Sequence, residues 1–380
     1  MRESILTDAR IVTPDGVFDG TLLVRDGRIA DLSRGRSAVP GALGLDGDYL
    51  LPGLVELHTD NLEKHLTPRP GVSWPPEAAI VAHDALVAGC GITTVFDSVA
   101  VGDVIAGTQR RRSLEVTPVG LAHAIRHDML KADHFLHMRI EVSEPDAPEM
   151  FAPFLDDPLV RLISLMDHTP GQRQYADEAA YRRGYQKRHG LSDAEYERFS
   201  AHRKALAEQF SARHRSWMAT LARERGWPLA SHDDATAAHV AESLAAGMTI
   251  AEFPTTVEAA RAAHAAGMKV MMGAPNLVRG GSHSGNVAAA ELAGLGLVSI
   301  LSSDYYPQSL LHGAFLLTRP PIGMALTDAV ATVTDTPAAA VGLADRGRIE
   351  PGRRADLIRV RDGDGLPFVR AVWREGNRVA

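Results

Sequence analysis

"PLASHDDATAAHVAESLAAGMTIAEFPTTVEAARAAHAAGMKVMMG", residues 228–273, contains three short apolar runs: Pro228–Ser231, Ile250–Phe253 and Val270–Gly273. Ala-rich helical stretches, "TAAHVAESLAAG" and "TVEAARAAHAAG", lie between them. Strand alternating with helix predicts βαβ units and a parallel sheet. Outward from this stretch, similar runs occur at Leu54–Leu57, Thr93–Phe96, Phe135–Ile140, Val160–Met166 and Val298–Ser302. Eight strands in this alternation predict a closed (β/α)8 barrel rather than an open sheet.

The two ends of the chain read differently. Residues 5–32 alternate, and Asp26-Gly27 between β-prone runs marks a hairpin. The last segment, "GRIEPGRRADLIRVRDGDGLPFVRAVWREGNRVA", gives three short strands broken by Gly and Pro. Neither end buries a core alone, so 1–50 and 345–380 are expected to form one composite β domain, with 51–344 as the barrel. A polar stretch at about 174–226 interrupts the barrel, and Ser192 with Glu195 makes a capping box within it. It reads as a helical hairpin on the surface, with a lid or subunit interface as the alternative.

Composition narrows the function. The chain has 380 residues, 45% hydrophobic and 23% charged, ordinary for a globular protein. One cysteine, Cys90, precludes an internal disulfide and fits a reducing compartment. The Gly-flanked turn "AGCGIT" makes Cys90 a poor nucleophile. With no signal-length or membrane-length apolar stretch, the chain reads as cytoplasmic and not membrane-bound. A net charge of -7 argues against nucleic-acid binding and requires any anionic substrate to meet locally concentrated positive charge.

In such a barrel, chemistry sits where strands end and loops begin. Those ends carry His58 and Asp60, Glu141, Asp167-His168, His232-Asp233-Asp234, Glu252 and Asp304. A lone polar residue at a strand end is usually a cap or turn residue, and Asp233 and Asp234 are read as N-caps of the next helix. Acid and imidazole groups recurring at one end of most strands converge in space, and together they suit Zn, Mn or Fe. Glu56, His58 and Asp60 share one strand face, as do His137, Arg139 and Glu141. Asp167 and His168 point oppositely in a regular strand. The chain has no G-x-x-x-x-G-K-[ST], no H-E-x-x-H and no G-x-S-x-G elbow. After strand seven, Arg279 and the Gly-rich run Gly280–Gly285 offer N–H groups and charge to a phosphate, although such a loop is often only a turn.

"PGLVELHTD", Asp304 and "GRIEPGRRADL" are similar to motifs of the amidohydrolase superfamily. "HTDNLEKHLTPRPGVSWP", "SLMDHTPGQRQ", "SHDDAT", "AEFPTT", "GAPNLVRGGSHSGN" and "SSDYYP" resemble one branch of it across nearly the whole chain. That branch comprises the phosphonate-metabolism diphosphatases of the C–P lyase pathway, which act on α-D-ribose 1-methylphosphonate 5-triphosphate. The resemblance implies pyrophosphate release from a small-molecule triphosphate and two divalent ions, zinc foremost with manganese or iron as alternatives. His58-x-Asp60 replaces the superfamily's usual His-x-His, and no lysine follows strand four. The implied ligands are therefore His58, Asp60, Glu141 and Asp304 for one ion, and Glu141, His232 and His168 for the other. Glu141 bridges as in the renal dipeptidase branch, and Glu252 competes with His168. Asp304 is the implied catalytic proton acceptor. Lys64, Arg69, Arg139, Arg173 and Arg279, with Gly281, Ser282 and His283, are the phosphate-binding candidates. A homo-oligomer, associated with other C–P lyase pathway proteins, is the expected assembly. Cyclic-amide hydrolysis or base deamination is the alternative activity, and a non-catalytic metal-binding subunit is the alternative of another class.

Overall fold

A computed structural model describes residues 3–102, 109–173, 178, 182–183, 185–186, 190–282 and 284–380. Two sheets organise them. The first contains β1 (Glu3–Thr13), β2 (Gly16–Arg25), β3 (Arg28–Arg34), β4 (Leu43–Gly44) and β5 (Tyr49–Pro52). The barrel follows as β6 (Leu54–Thr59), β7 (Ile92–Val101), β8 (Asp133–Glu141), β9 (Val160–Met166), β10 (Leu229–His232), β11 (Ile250–Glu252), β12 (Lys269–Gly273) and β13 (Ile300–Ser302). The chain then returns to the first sheet with β14 (Leu357–Gly363), β15 (Leu366–Arg374) and β16 (Asn377–Arg378).

In the first sheet the order is β16-β15-β14-β5-β1-β2-β3, with β4 against β1. The ends of the chain meet where β14 pairs antiparallel with β5, Leu357 opposite Pro52. The hairpin at Asp26-Gly27 forms as expected, with φ of 48° and 79°, both in the left-handed region that its tight turn demands.

Barrel strands run in parallel sequence order from β6 to β13. A parallel bridge between Thr59 and Asp304 closes the ring. Its interior is layered. Phe96, Phe135, Leu162, Ala230, Ile250, Met271 and Ile300 form an apolar layer. Two residues further along the same faces come Ser98, His137, Ser164, His232, Glu252, Gly273 and Ser302. Period-two geometry therefore places a polar layer directly on an apolar floor. Val95, Val99, Leu136, Met138, Ile163 and Leu165 face outward and pack under the helices.

The insertion contributes a helix, Asp193–Arg225, with the capping box at Ser192 and Glu195 formed and Gly226 at φ 67° ending it. This helix is more than surface decoration. Its Arg203 donates to Ser143 Oγ (2.5 Å), Ser211 Oγ to Asp167 Oδ2 (3.1 Å) and His214 Nδ1 to the Val142 carbonyl (3.2 Å). It thereby braces the loops that leave β8 and β9. The part of the insertion between 174 and 189 lies largely outside the described residues. Among the described residues no helix is long and apolar enough to cross a membrane.

Candidate metal centre

A cavity of about 350 Å³ opens at the C-terminal end of the barrel. Two groups of ligand atoms line it: His58, Asp60 and Asp304, and beside them His168, His232 and Asp233. Within each group the donor atoms lie within 4.8 Å of one another. His58 Nε2 stands 3.9 Å from Asp60 Oδ1, and His232 Nε2 stands 3.3 Å from Asp233 Oδ2.

The first group is fixed by backbone. Asp304 N donates to the His58 carbonyl (3.1 Å) and Asp60 N to the Asp304 carbonyl (3.0 Å), so the bonds that close the barrel also align its ligands. Ser302 Oγ adds a bond to the His58 carbonyl (2.6 Å). Below them, the Glu56 carboxylate accepts from the backbone N–H groups of His58 (2.7 Å) and Ser303 (2.6 Å). Asp304 itself takes φ 54°, Asp233 φ 59° and Phe253 φ 54°. Left-handed backbone is tolerable for Asp and costly for Phe, and such strain concentrates at functional sites.

Buried carboxylates orient the imidazoles. Glu252 accepts from His58 Nδ1 (2.7 Å) and from His232 Nδ1 (2.6 Å). Burial opposes ionisation of Glu252, but the imidazoles of His58 and His137 and these bonds hold its carboxyl well below the usual range. Glu141 accepts from His168 Nδ1 (2.7 Å) and from Ser143 Oγ (2.6 Å). Against its burial, His168 and then Arg203 hold the Glu141 carboxyl at about 2. An ionised carboxylate on Nδ1 sets the tautomer and leaves the Nε2 lone pair for a metal. In each of the three rings this leaves Nε2 as the nitrogen that could face an ion.

Two acids stand differently from the expected ligand set. Glu141 joins neither ligand group; it holds His168 from behind. Glu252 bonds His58 and His232 rather than lining the cavity, and with His58 and His137 it forms a further buried set of donor atoms within 4.8 Å of one another. Asp233, expected as a helix cap, stands among the ligand atoms. Thr236 caps the helix Ala237–Ala245 instead, its side chain accepting from His239 N, and Asp234 is taken up by Arg173 and Ser243. His137 lies beneath the cavity, where burial, with help from His58 and Arg139, pushes its imidazole down to about 3.

The cations also sort differently from expectation. Arg139 spans the two groups, donating to Asp60 Oδ1 (3.0 Å) and to His232 Nε2 (3.4 Å). Burial would raise the Asp60 carboxyl, but the guanidinium of Arg139 and then His58 hold it below its usual range. Asp304 moves the other way, pushed up by burial and by neighbouring Asp60. Arg173, 3% exposed, is consumed by Asp234 and Glu242 and does not line the cavity. Lys64 reaches the Tyr305 carbonyl at the rim, and Arg69 lies on an exposed turn. Arg279 is exposed and not part of the lining. The N–H groups of Gly280 and Gly281 are spent on Leu277 (3.2 Å) and Asn276 (2.8 Å), closing the helix Ala274–Arg279. From this loop the cavity receives the side chains of Ser282, Ser284 and Asn286; His283 lies outside the described residues. Sequence reasoning missed Arg110, a lining residue from the helix Gln109–Arg126, whose charge acts on Asp60. Its only sequence signal is the basic run "RRR" at 110–112, which looks like a solvated helix face.

Comparison with known proteins agrees with the geometry. A family model described as amidohydrolase family matches residues 186–380. The chain is 47% identical over 376 residues to alpha-D-ribose 1-methylphosphonate 5-triphosphate diphosphatase of Escherichia coli (strain K12), covering 99% of this chain and 100% of that protein. N-acetyl-D-glucosamine-6-phosphate deacetylase from Mycobacterium smegmatis shares the fold at 19% identity and TM-score 0.63, covering 99% of this chain and 100% of that one. The 5-methylcytosine deaminase from Klebsiella pneumoniae does so at 15% identity and TM-score 0.66, covering 99% of this chain and 98% of that one. The chain belongs to the amidohydrolase family.

Proposed function

We propose that the protein hydrolyses α-D-ribose 1-methylphosphonate 5-triphosphate to the 5-phosphate and pyrophosphate, using divalent metal at the two ligand groups. The observation that carries the metal reading is the set of three histidines whose Nδ1 atoms are all bonded to buried carboxylates. The full-length relative that carries the diphosphatase name supports the substrate.

His58, Asp60 and Asp304 would hold one ion, and His168, His232 and Asp233 the other. Imidazole and carboxylate donors in these numbers suit zinc, with manganese or iron as alternatives. Such ions supply positive charge to the phosphates and acidity to the attacking water. Asp304, half-buried beside His58 and Asp60 at the cavity, would take the proton of that water. Arg110 and Arg139 neutralise the triphosphate, which explains how an acidic protein holds a polyanion. Ser282, Ser284 and Asn286 donate to phosphate or ribose oxygens, while Phe253 and Pro254 form an apolar wall that limits water. The two guanidiniums favour this reading over cyclic-amide hydrolysis or deamination, which call for a neutral pocket. The same reading carries the finer expectation of a cytoplasmic homo-oligomer, which size-exclusion chromatography with light scattering tests.

The test is direct. Metal-loaded protein is given the ribose triphosphate, and products are separated and quantified. One pyrophosphate per 5-phosphate is expected, lost on chelation and restored by metal. Release of orthophosphate alone, or no turnover by demonstrably metal-loaded protein, contradicts the reading.

A further inference from the structure

Outside the cavity, five buried polar side chains form one unbranched chain. Asn61 Nδ2 donates to His83 Nδ1 (2.9 Å), and His83 Nε2 donates to Asp97 Oδ1 (2.8 Å). Asp97 Oδ2 accepts from His134 Nδ1 (2.7 Å), and His134 Nε2 reaches Asp84 Oδ1 (3.3 Å). Backbone N–H groups of Lys131 and Ala132 secure the far end on Asp84 (2.9 Å each). Asp97 and His134 lie on the outward faces of β7 and β8, alongside Val95, Val99, Leu136 and Met138. His83 and Asp84 come from the helix Pro76–Gly89, and Asn61 begins the helix Asn61–Leu66. None of the five is more than 4% exposed.

A metal cage is the first alternative, since ligand atoms of His83, Asp97 and His134 lie within 4.8 Å of one another. The connectivity argues against it. Each Asp97 oxygen already accepts from one of the two rings, and the remaining nitrogen of each ring is bonded to Asn61 or Asp84. None of the five contributes to the fully buried side-chain atoms that lack a partner among the described residues. The interactions are therefore already complete as hydrogen bonds.

Burying this much polarity has a desolvation cost that apolar side chains would avoid, so a role beyond stability is indicated. The near end of the chain supplies one. Asn61 directly follows Asp60, and its N–H donates to Thr59 Oγ1 (3.2 Å), which itself donates to the Asp304 carbonyl (2.7 Å). Asp60 thus sits between two tethers, a backbone bond to Asp304 (3.0 Å) and the Asn61 side chain on His83. Its side chain is 30% exposed, against 1% for His58, and Arg139 holds its carboxylate from the cavity side (3.0 Å). Burial alone does not hold it.

We propose that the chain Asn61–His83–Asp97–His134–Asp84 positions Asp60, setting the His58–Asp60–Asp304 group from outside the barrel. This rests on Asp60 being a metal ligand. The test is zinc affinity, measured by chelator competition on purified metal-free protein, with its thermal midpoint recorded alongside. Asn61→Ala is expected to weaken one of two zinc ions about ten- to a hundredfold, the range typical of residues that orient ligands, and to leave the other unchanged. Asn61→Gln, which keeps the amide, should lose less, and also serves if the alanine variant fails to fold. The double variant Asn61→Ala/His83→Phe should bind zinc no worse than the more affected single variant, because both cut one link. Asp60→Ala is the control. If it loses an ion while Asn61→Ala stays within twofold of wild type at a lowered thermal midpoint, the chain is merely structural and the proposal falls. If Asp60→Ala also keeps both ions, the ligand reading and the proposal fall together.

Discussion

The two ligand groups share one cavity but are held in different ways. His58, Asp60 and Asp304 are fixed by main-chain bonds between the first and last barrel strands, the same bonds that close the ring. His168 stands two residues beyond the end of β9 and depends on a side-chain column, Glu141 behind its ring and Arg203 behind Glu141 (3.7 Å). The first group is a property of the barrel. The second is a property of the barrel plus the inserted helix Asp193–Arg225. Mutations in the inserted helix should therefore disturb the second group and spare the first.

The largest effect is expected inside the first group. Asp304→Asn preserves shape and removes the proton acceptor, so kcat should fall about a hundred- to ten-thousand-fold. Metal analysis alongside steady-state kinetics checks that the loss is not simply loss of the ion. Next comes the second group, where Glu141→Gln removes the acceptor that orients His168. A loss of about ten- to a hundredfold in metal affinity or activity is expected, with Arg203→Met showing a weaker version of the same defect. If Arg203→Met matched wild type in metal affinity while Glu141→Gln did not, the inserted helix would have no part in the site.

Substrate grip should show in KM rather than in metal affinity. Arg110→Ala is expected to raise KM for the triphosphate about ten- to a hundredfold, the worth of one charge-assisted bond, with metal content unchanged. Arg279→Ala should change little, because the side chain is exposed and outside the lining. Kinetics of both variants on substrates with one, two and three phosphates distinguish a phosphate contact from a general loss of stability.

The smallest effect concerns stability and pH. His134 lies between Asp97 and Asp84, with His83 on the far side of Asp97. Burial disfavours its imidazolium, but the Asp97 carboxylate and the Asp84 bond outweigh burial and raise it to about 9. A folded-state value above the unfolded one contributes stability that is fully present below about 6.5 and is lost as pH rises through about 9. Thermal midpoints of wild type should therefore fall between pH 7 and 10, and His134→Gln should flatten that slope. An unchanged slope in the variant would mean that another group governs it.

How much was legible in the sequence follows the same division. Strand count, composite terminal sheet and the placing of His58 and Asp60 at a barrel strand end were readable because each rests on local signals: alternation, an Asp-Gly turn, "PGLVELHTD". Roles within the second group were not. Glu141 and His168 are 27 residues apart, and Arg203 lies 60 beyond Ser143, so nothing local shows that Glu141 points at a ring rather than at an ion. Asp233 was hidden by its place before a helix, where an N-cap is the ordinary reading; the cap fell to Thr236 three residues on. The Gly-rich loop misled for a related reason. Its N–H groups were counted as free for an anion, whereas the preceding helix ends at Arg279 and uses two of them.

Anomalous diffraction from crystals of the zinc-loaded protein tests the central claim most directly, because it locates the ions independently of turnover. Two peaks are expected, one within ligand distance of His58, Asp60 and Asp304, the other within ligand distance of His168, His232 and Asp233. Glu141 and Glu252 should remain on the Nδ1 atoms of their histidines. A zinc ion bound directly by Glu141, or a lone peak bridging both groups, would contradict the account.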